Sequence, residues 1–343
     1  MRQADEVVKY APWKGRTMKN MRLQVFFACV PVLLAVLSSA HAAGQSYPVR
    51  PIRVIVTFPP GAGSDIATRL VTAKLSETFG RQFVVDNRAG AAGNIGVDLV
   101  AHATPDGYTL LAVTAAAAIS QSAYSKISFD LTRDFAPVAP IASAPFVLAL
   151  NPAIPARSLK ELIELARAKP GQYSYATPGS GSSPHVAGEL LRMELGIDLL
   201  HVPYKGTVPA IADVIAGNVS MALANTLVAL PQMKAGRLRG IAITSARRSA
   251  MAPELPTIAE SGLPGFEAGT WYGLLAPSGT PRDIVTRLNG EVVRIVQLQE
   301  IREKLAAQGA EPLTGTPQEF GKFVQNEVAR WAKVVKAARI RLD

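Results

Sequence analysis

The sequence predicts an α/β protein of two domains with largely parallel sheets. Three observations carry this. Short apolar runs alternate with helical segments from residue 52 to residue 276. Two extended stretches bearing proline or glycine, 138–145 and 262–269, lead into apolar runs with no helix between, as crossings from one domain to another would. After residue 280 the pattern is helical. A chain of 343 residues, 48% hydrophobic and 18% charged, has length and apolar content for two ordinary cores.

In order, strands are expected over 52–57, 83–86, 109–114, 146–150, 173–176, 199–202, 219–223, 238–244 and 271–276. Helices are expected over 64–79, 95–103, 159–168, 184–195 and 208–216, then over 281–299, 301–308 and 317–338. Pro281 and Pro317 stand where a first helical turn accepts proline. The last helix sets Phe320, Phe323, Val324, Val328, Trp331 and Val335 on one face. With two crossings, residues 43–142 and 269–343 build one domain and 143–268 the other.

Residues 1–42 read as a leader. A short basic region holds Lys19 and Arg22, and the apolar stretch 23–37 has the length of a signal-peptide core and is short for a membrane span. Ala40, His41 and Ala42 then form a small-x-small cleavage pattern. Residues 1–17 precede the basic region and are expected to be an over-extended start, with Met18 or Met21 the true one. The only cysteine, Cys29, lies in the leader, so the mature chain needs no disulfide management in an oxidising compartment. The leader holds six Lys or Arg and two acids, so its removal takes the net charge from +10 to +6. No run of five like charges occurs, and a nucleic-acid partner is not indicated.

The most informative stretch is 58–65, FPPGAGSD, between the first strand and the first helix. A glycine-bearing turn at that junction leaves free N–H groups at a helix N-terminus, an anion pocket that needs no basic side chain. Phe58, Pro60, Gly61, Ala62, Gly63, Ser64 and Asp65 are its candidate site residues. A second turn of the same design runs from Thr177 through Gly179, Ser180, Gly181 and Ser182, with Ser183 expected to cap a helix starting at Pro184. A third, with Tyr204 and Lys205, has Thr207 expected to cap a helix from Val208. Each lies at the carboxyl end of a strand, where open α/β sheets bind ligands. Thr114 ends a further strand, and Asn225 follows another two residues after its expected end at Leu223. Asp65 has two readings. One is a favourable charge in a first helical turn, worth ~0.3–1 kcal/mol. The other is an acceptor for a ligand hydroxyl, ammonium or bridging water.

Enzymatic patterns fail. Gly61 and Gly63 are followed by Ile66 where a dinucleotide fingerprint has its third glycine, and no Walker lysine follows a glycine loop. The stretch GSSPH at 181–185 has His185 where a nucleophile elbow has its second glycine, and Ser182 with His185 on one turn is poorly placed for catalysis. None of His102, His185 and His201 has a second His or Cys four residues on, so zinc is not expected. His185 reads as a donor at a helix start and His201 as a strand-end residue. No catalytic residue, metal or cofactor is expected.

The opening YPVRPIR at 47–53 and FPPGAGSD at 58–65 resemble the Bug family of periplasmic solute-binding proteins, receptors of tripartite tricarboxylate transporters. The likeness continues in DNRAGAAGNIG at 86–96, PDGYTL at 105–110, DFAPV at 134–138, HVPYKG at 201–206 and WAKVV at 331–335, covering essentially 47–343 in family order. The resemblance implies a two-lobed periplasmic-binding-protein fold of the type II-like, Venus flytrap kind, with two hinge crossings and a C-terminal helical segment. It implies a small carboxylate held between the turns at 58–65 and 177–183, and permease subunits as partners of a monomeric receptor in the periplasm. A sensor docking on a histidine-kinase ectodomain is the alternative, and a small-acid enzyme a weaker one. The sequence departs from the family at Ala62, often glycine, at Ala224 and Asn225, where an acid is common, and in the alanine run after Thr114. These departures predict a more apolar ligand body, an aromatic or aliphatic acid.

Overall fold

The computed structural model describes residues 47–307 and 309–342. The leader, its cleavage pattern and Cys29 lie outside these residues.

Ten strands among the described residues form a mixed sheet. These are β1 (Ile52–Val56), β2 (Phe83–Asn87), β3 (Thr109–Thr114), β4 (Phe135–Leu150), β5 (Ser174–Thr177), β6 (Leu200–Pro203), β7 (Met221–Asn225), β8 (Arg239–Ile243), β9 (Gly269–Pro277) and β10 (Glu311–Pro312). The order along the sheet is β2-β1-β3-β9-β4-β7-β5-β6, with β8 and β10 paired to β4. Helices are α1 (Gly63–Phe79), α2 (Asn94–Ala101), α3 (Ala115–Ala123), α4 (Leu159–Ala168), α5 (Ser183–Leu195), α6 (Thr207–Ala216), α7 (Thr226–Lys234), α8 (Arg282–Gln297), α9 (Gln299–Ala306) and α10 (Pro317–Ala337).

The expectation of largely parallel pairing holds only at the flanks. β1 pairs parallel with β2 and β3, and β5 parallel with β6 and β7. The centre is antiparallel: β9 against β3 and β4, and β4 against β7, β8 and β10. Helix-bearing connections give parallel neighbours, whereas two long strands crossing the middle run opposite to theirs.

The stretch 138–145, expected to be extended, is the interior of the 16-residue strand β4, which starts earlier than the 146–150 expected. Its prolines disguised it. The ladder with β9 shifts register between Pro137 and Ala139 and between Pro140 and Ala142, and such irregularities accommodate a residue without an N–H. β4 changes partners midway. Phe135 to Pro145 lie opposite β9, and Phe146 to Leu150 lie opposite β7. In that second half Phe146, Leu148 and Leu150 pack in one core cluster and Val147 and Ala149 in another, the two-residue alternation of a strand covered on both faces. The other core joins Leu111, Ile119, Trp271, Phe320, Val324 and Trp331. α10 docks as expected except that Phe323 is partly exposed, its ring meeting Trp271 edge-on. Its start is fixed by a capping box between Thr316 and Glu319.

Two helices went unanticipated, α3 and α7. The alanine run after Thr114 carries little amphipathic signal, and α7 contains Pro231. Both start at the cleft.

Candidate functional site

Five helices begin around one cavity. Gly63 opens α1, Ser183 opens α5 and Thr207 opens α6, while Thr114 and Asn225 are the residues just before α3 and α7. All five line the same space of about 50 Å³, room for a few water-sized groups. No Lys, Arg, Asp, Glu or His lines it. Each helix start carries roughly half a positive charge and free N–H groups, so the cavity favours an anion without a cationic side chain. Phe58, Phe146, Ala176, Ile211, Leu223 and Ala224 form apolar walls.

Hydroxyls supplement the helix ends. Ser64 is 4% exposed, and its Oγ has no hydrogen-bond partner among the described residues. A buried hydroxyl left this way costs about 1–3 kcal/mol, which a ligand oxygen would recover. Thr114 Oγ1 accepts from the Ala116 N–H at 3.2 Å, keeping its own proton for the cavity. The expected caps at Ser183 and Thr207 are not formed. The boundary residues are Ser182 and Gly206 instead, neither making a side-chain cap, and both hydroxyls lie inside the first helical turn among the lining residues.

Asp65 does not line the cavity. It is buried, and its carboxylate accepts from the Gly61 N–H at 3.0 Å, from Arg69 Nε at 2.9 Å and from Asn87 Nδ2 at 3.0 Å. Burial would raise its pKa, but the hydrogen bonds from Arg69, Gly61 and Asn87 and the charge of Arg69 carry it below the ordinary 3.8. Asp65 therefore holds the turn from behind. Asn87 Nδ2 also donates to the Phe58 carbonyl at 2.8 Å, tying the turn to β2.

The turn after β5 is held by histidines. His185 Nδ1 accepts the Gly181 N–H at 3.1 Å, so His185 is an acceptor at this helix start rather than a donor. His201 Nε2 meets Thr177 Oγ1 at 2.7 Å, and the two imidazoles stack with centroids 4.1 Å apart. Burial lowers both pKa values, that of His201 to about 4 with help from the neighbouring His185 charge. Both rings are neutral at pH 7.

Of the expected site residues, Phe58, Ala62, Gly63, Ser64, Thr114, Ser182 and Asn225 reach the cavity. Ala62 has φ −70°, so alanine sits there without strain. Pro60 is exposed, and Gly61, Thr177 and Gly181 bond within their turns, Thr177 also to His201. Gly179, Ser180, Tyr204 and Lys205 line an adjoining outer groove, which shares Phe58 and Pro178 with the cavity. Tyr204 is turned away because its hydroxyl donates to Asp213 Oδ2 at 2.6 Å. At the cavity rim the turns meet: a Cβ on Gly206, which has φ +131°, would lie 3.0 Å from Pro59. Residues that sequence reasoning missed include Phe146, Thr270 and Tyr272, which β4 and β9 deliver from far along the chain. The motifs that mark strand-to-helix turns cannot flag them.

The family model described as tripartite tricarboxylate transporter family receptor matches residues 67–340. The chain belongs to this receptor family. BugT of Bordetella pertussis is 36% identical over 325 residues, covering 94% of this chain and all of that one. A solved R. palustris protein with adipate superposes with a TM-score of 0.84 at 38% identity, over 86% of this chain and 99% of that one. MatC from Rhodopseudomonas palustris with bound malate gives 0.80 at 32% identity, over 84% of this chain and all of that one. The receptor is thus a solute-binding protein of the periplasmic-binding-protein fold, and its family places it in the periplasm. Among the described residues no group of His, Cys, Asp and Glu is arranged to hold a metal, and no helix is long and apolar enough to cross a membrane.

Proposed function

We propose that this receptor captures a small aliphatic carboxylate in the five-helix cavity and hands it, unchanged, to the permease subunits of a tripartite transporter. The observation that carries this is a ring of helix N-termini around Ser64, whose buried hydroxyl has no partner among the described residues. An ionised carboxylate offers only acceptors and matches a site offering mostly donors. The apolar walls suit an aliphatic body, as in the adipate held by the R. palustris relative. Charge-assisted hydrogen bonds at about 1.5–3 kcal/mol each, with apolar burial, reach the roughly −8 kcal/mol of micromolar binding.

On this reading residues 43–142 with 269–343, and 143–268, are two lobes that close on the ligand as a monomer, after a leader ending near Ala42 is removed. Gly63 and Ser64 contact the ligand from one lobe, Ser183 and Thr207 from the other, and Thr114 and Asn225 complete the ring. Closure is stabilised because only the closed form lets both sets donate at once. Calorimetric titration with mono-, di- and tricarboxylates tests it. Binding of an aliphatic mono- or dicarboxylate is expected. Preference for citrate, or no binding of any acid, overturns it.

A further inference from the structure

Tyr272 belongs to β9 and to none of the strand-to-helix turns. Its side chain is 3% exposed and lines the cavity. Its Oη accepts a hydrogen bond from Asn225 Nδ2. The direction of that bond is fixed by the other end of the amide, since Asn225 Oδ1 accepts the Leu227 N–H at 3.0 Å. An amide nitrogen only donates, so the phenol oxygen is the acceptor and its proton points elsewhere. Among the described residues no group accepts that proton. Burial holds the phenol above its ordinary pKa, so the proton stays on.

The phenol also lies against the start of α1. A Cβ on Gly63 would stand 2.5 Å from Tyr272 Oη and 3.0 Å from Asn225 Cγ. Only glycine lets the free N–H groups of this helix approach the phenol so closely. Oη therefore stands among donors with its own donor unspent.

We propose that Tyr272 is a ligand-contacting residue whose O–H donates to the carboxylate received by the α1 N-terminus, and that Asn225 is the positioning residue that aims it. This rests on the carboxylate reading above. The donors then run in one chain, from the Leu227 N–H through the Asn225 amide and the Tyr272 hydroxyl to the ligand. The ligand joins the start of α7, the central strand β9 and the start of α1. A site ending in a phenol and N–H groups selects an ionised carboxylate over the corresponding ester, because hydrogen bonds to the anion are the stronger.

The test is calorimetric titration of the full mature chain with adipate, with malate as second probe. Wild type is expected to bind at least one. Tyr272→Phe is expected to lose about 10- to 100-fold in affinity, the loss of one charge-assisted hydrogen bond. Its thermal midpoint without ligand is expected to fall only modestly, because the ring remains and the loss is confined to the acceptor of Asn225 Nδ2. Gly63→Ala, which pushes the phenol aside, is expected to lose at least as much. Asn225→Ala weakens binding too, but the double variant Asn225→Ala with Tyr272→Phe is expected to bind no worse than the poorer single one. Tyr272→Phe binding within twofold of wild type overturns the contact. Fully additive losses in the double variant overturn the positioning role of Asn225. A wild type that binds neither probe nor any other aliphatic carboxylate overturns the carboxylate reading itself, and this inference falls with it.

Discussion

The two principal turns of the cleft look alike in sequence and are held in opposite ways. The turn at 58–64 is braced by a buried, ionised carboxylate: Asp65 gathers Gly61, Arg69 and Asn87. The turn at 177–182 is braced by two neutral, stacked imidazoles, His185 on Gly181 and His201 on Thr177. The difference teaches that a helix-start anion site needs support from behind, and that this support sets its tolerance to pH. A carboxylate with a lowered pKa keeps its charge through mild acid. One buried and one half-buried imidazole do not stay neutral indefinitely, and two stacked rings cannot readily both be charged.

The largest expected effect comes from removing the charged brace. Asp65→Ala leaves the Gly61 N–H, Arg69 and Asn87 without their shared acceptor, and a loss of about 2–3 kcal/mol in stability is expected from urea unfolding. Because Asp65 does not touch the cavity, hydroxy acids and simple acids should weaken together. Selective loss of the hydroxy acids would make Asp65 a ligand contact after all.

Next is the neutral brace. His185→Ala strands the buried Gly181 N–H and is expected to cost about 1–2 kcal/mol and to weaken all ligands alike. An unchanged affinity would show that the second turn holds its shape without the ring.

Acid should separate the two turns. His201 titrates near 4 when folded against 6.5 in an unfolded chain, so the unfolded state binds the proton more readily. Its contribution is complete above pH 6.5 and is lost as pH falls towards 4. Asp65, lowered below 3.8, contributes above that value and stays ionised through the same interval. Thermal midpoints from pH 7 to 4.5 should therefore decline in the wild type and decline less in His201→Gln. Equal slopes would detach the decline from this ring.

The smallest effect is the most specific. Ser64→Ala should raise the stability of the empty receptor by up to about 1 kcal/mol, by removing a buried hydroxyl without a partner, and should lower ligand affinity about tenfold. Ser183→Ala, at the other helix start, should lower affinity with little gain in stability. If Ser64→Ala loses stability instead, its hydroxyl is satisfied within the protein.

Much of this was legible beforehand. The glycine turn at 58–64 was marked by its place between a β-branched strand and a helix, and its failure to continue as a dinucleotide fingerprint was visible at Ile66. The histidine pair was not legible. His185 and His201 are 16 residues apart, on α5 and β6, and only the parallel pairing of β5 with β6 brings their rings together. The role of Asp65 stayed open for the same reason, since its partner Asn87 comes from β2.

Residues close together in the chain were enough to reveal the alternation of strands and helices, the turns with free N–H groups, the absence of enzymatic motifs and the family. Tertiary structure alone decided that β4 and β9 run antiparallel through the centre, that five helix starts meet at one cavity, and that Tyr272 and Asn225 stand beside Gly63. Those outcomes depend on pairings between residues dozens to more than two hundred positions apart, where strand register and the absence of a single Cβ decide what can touch.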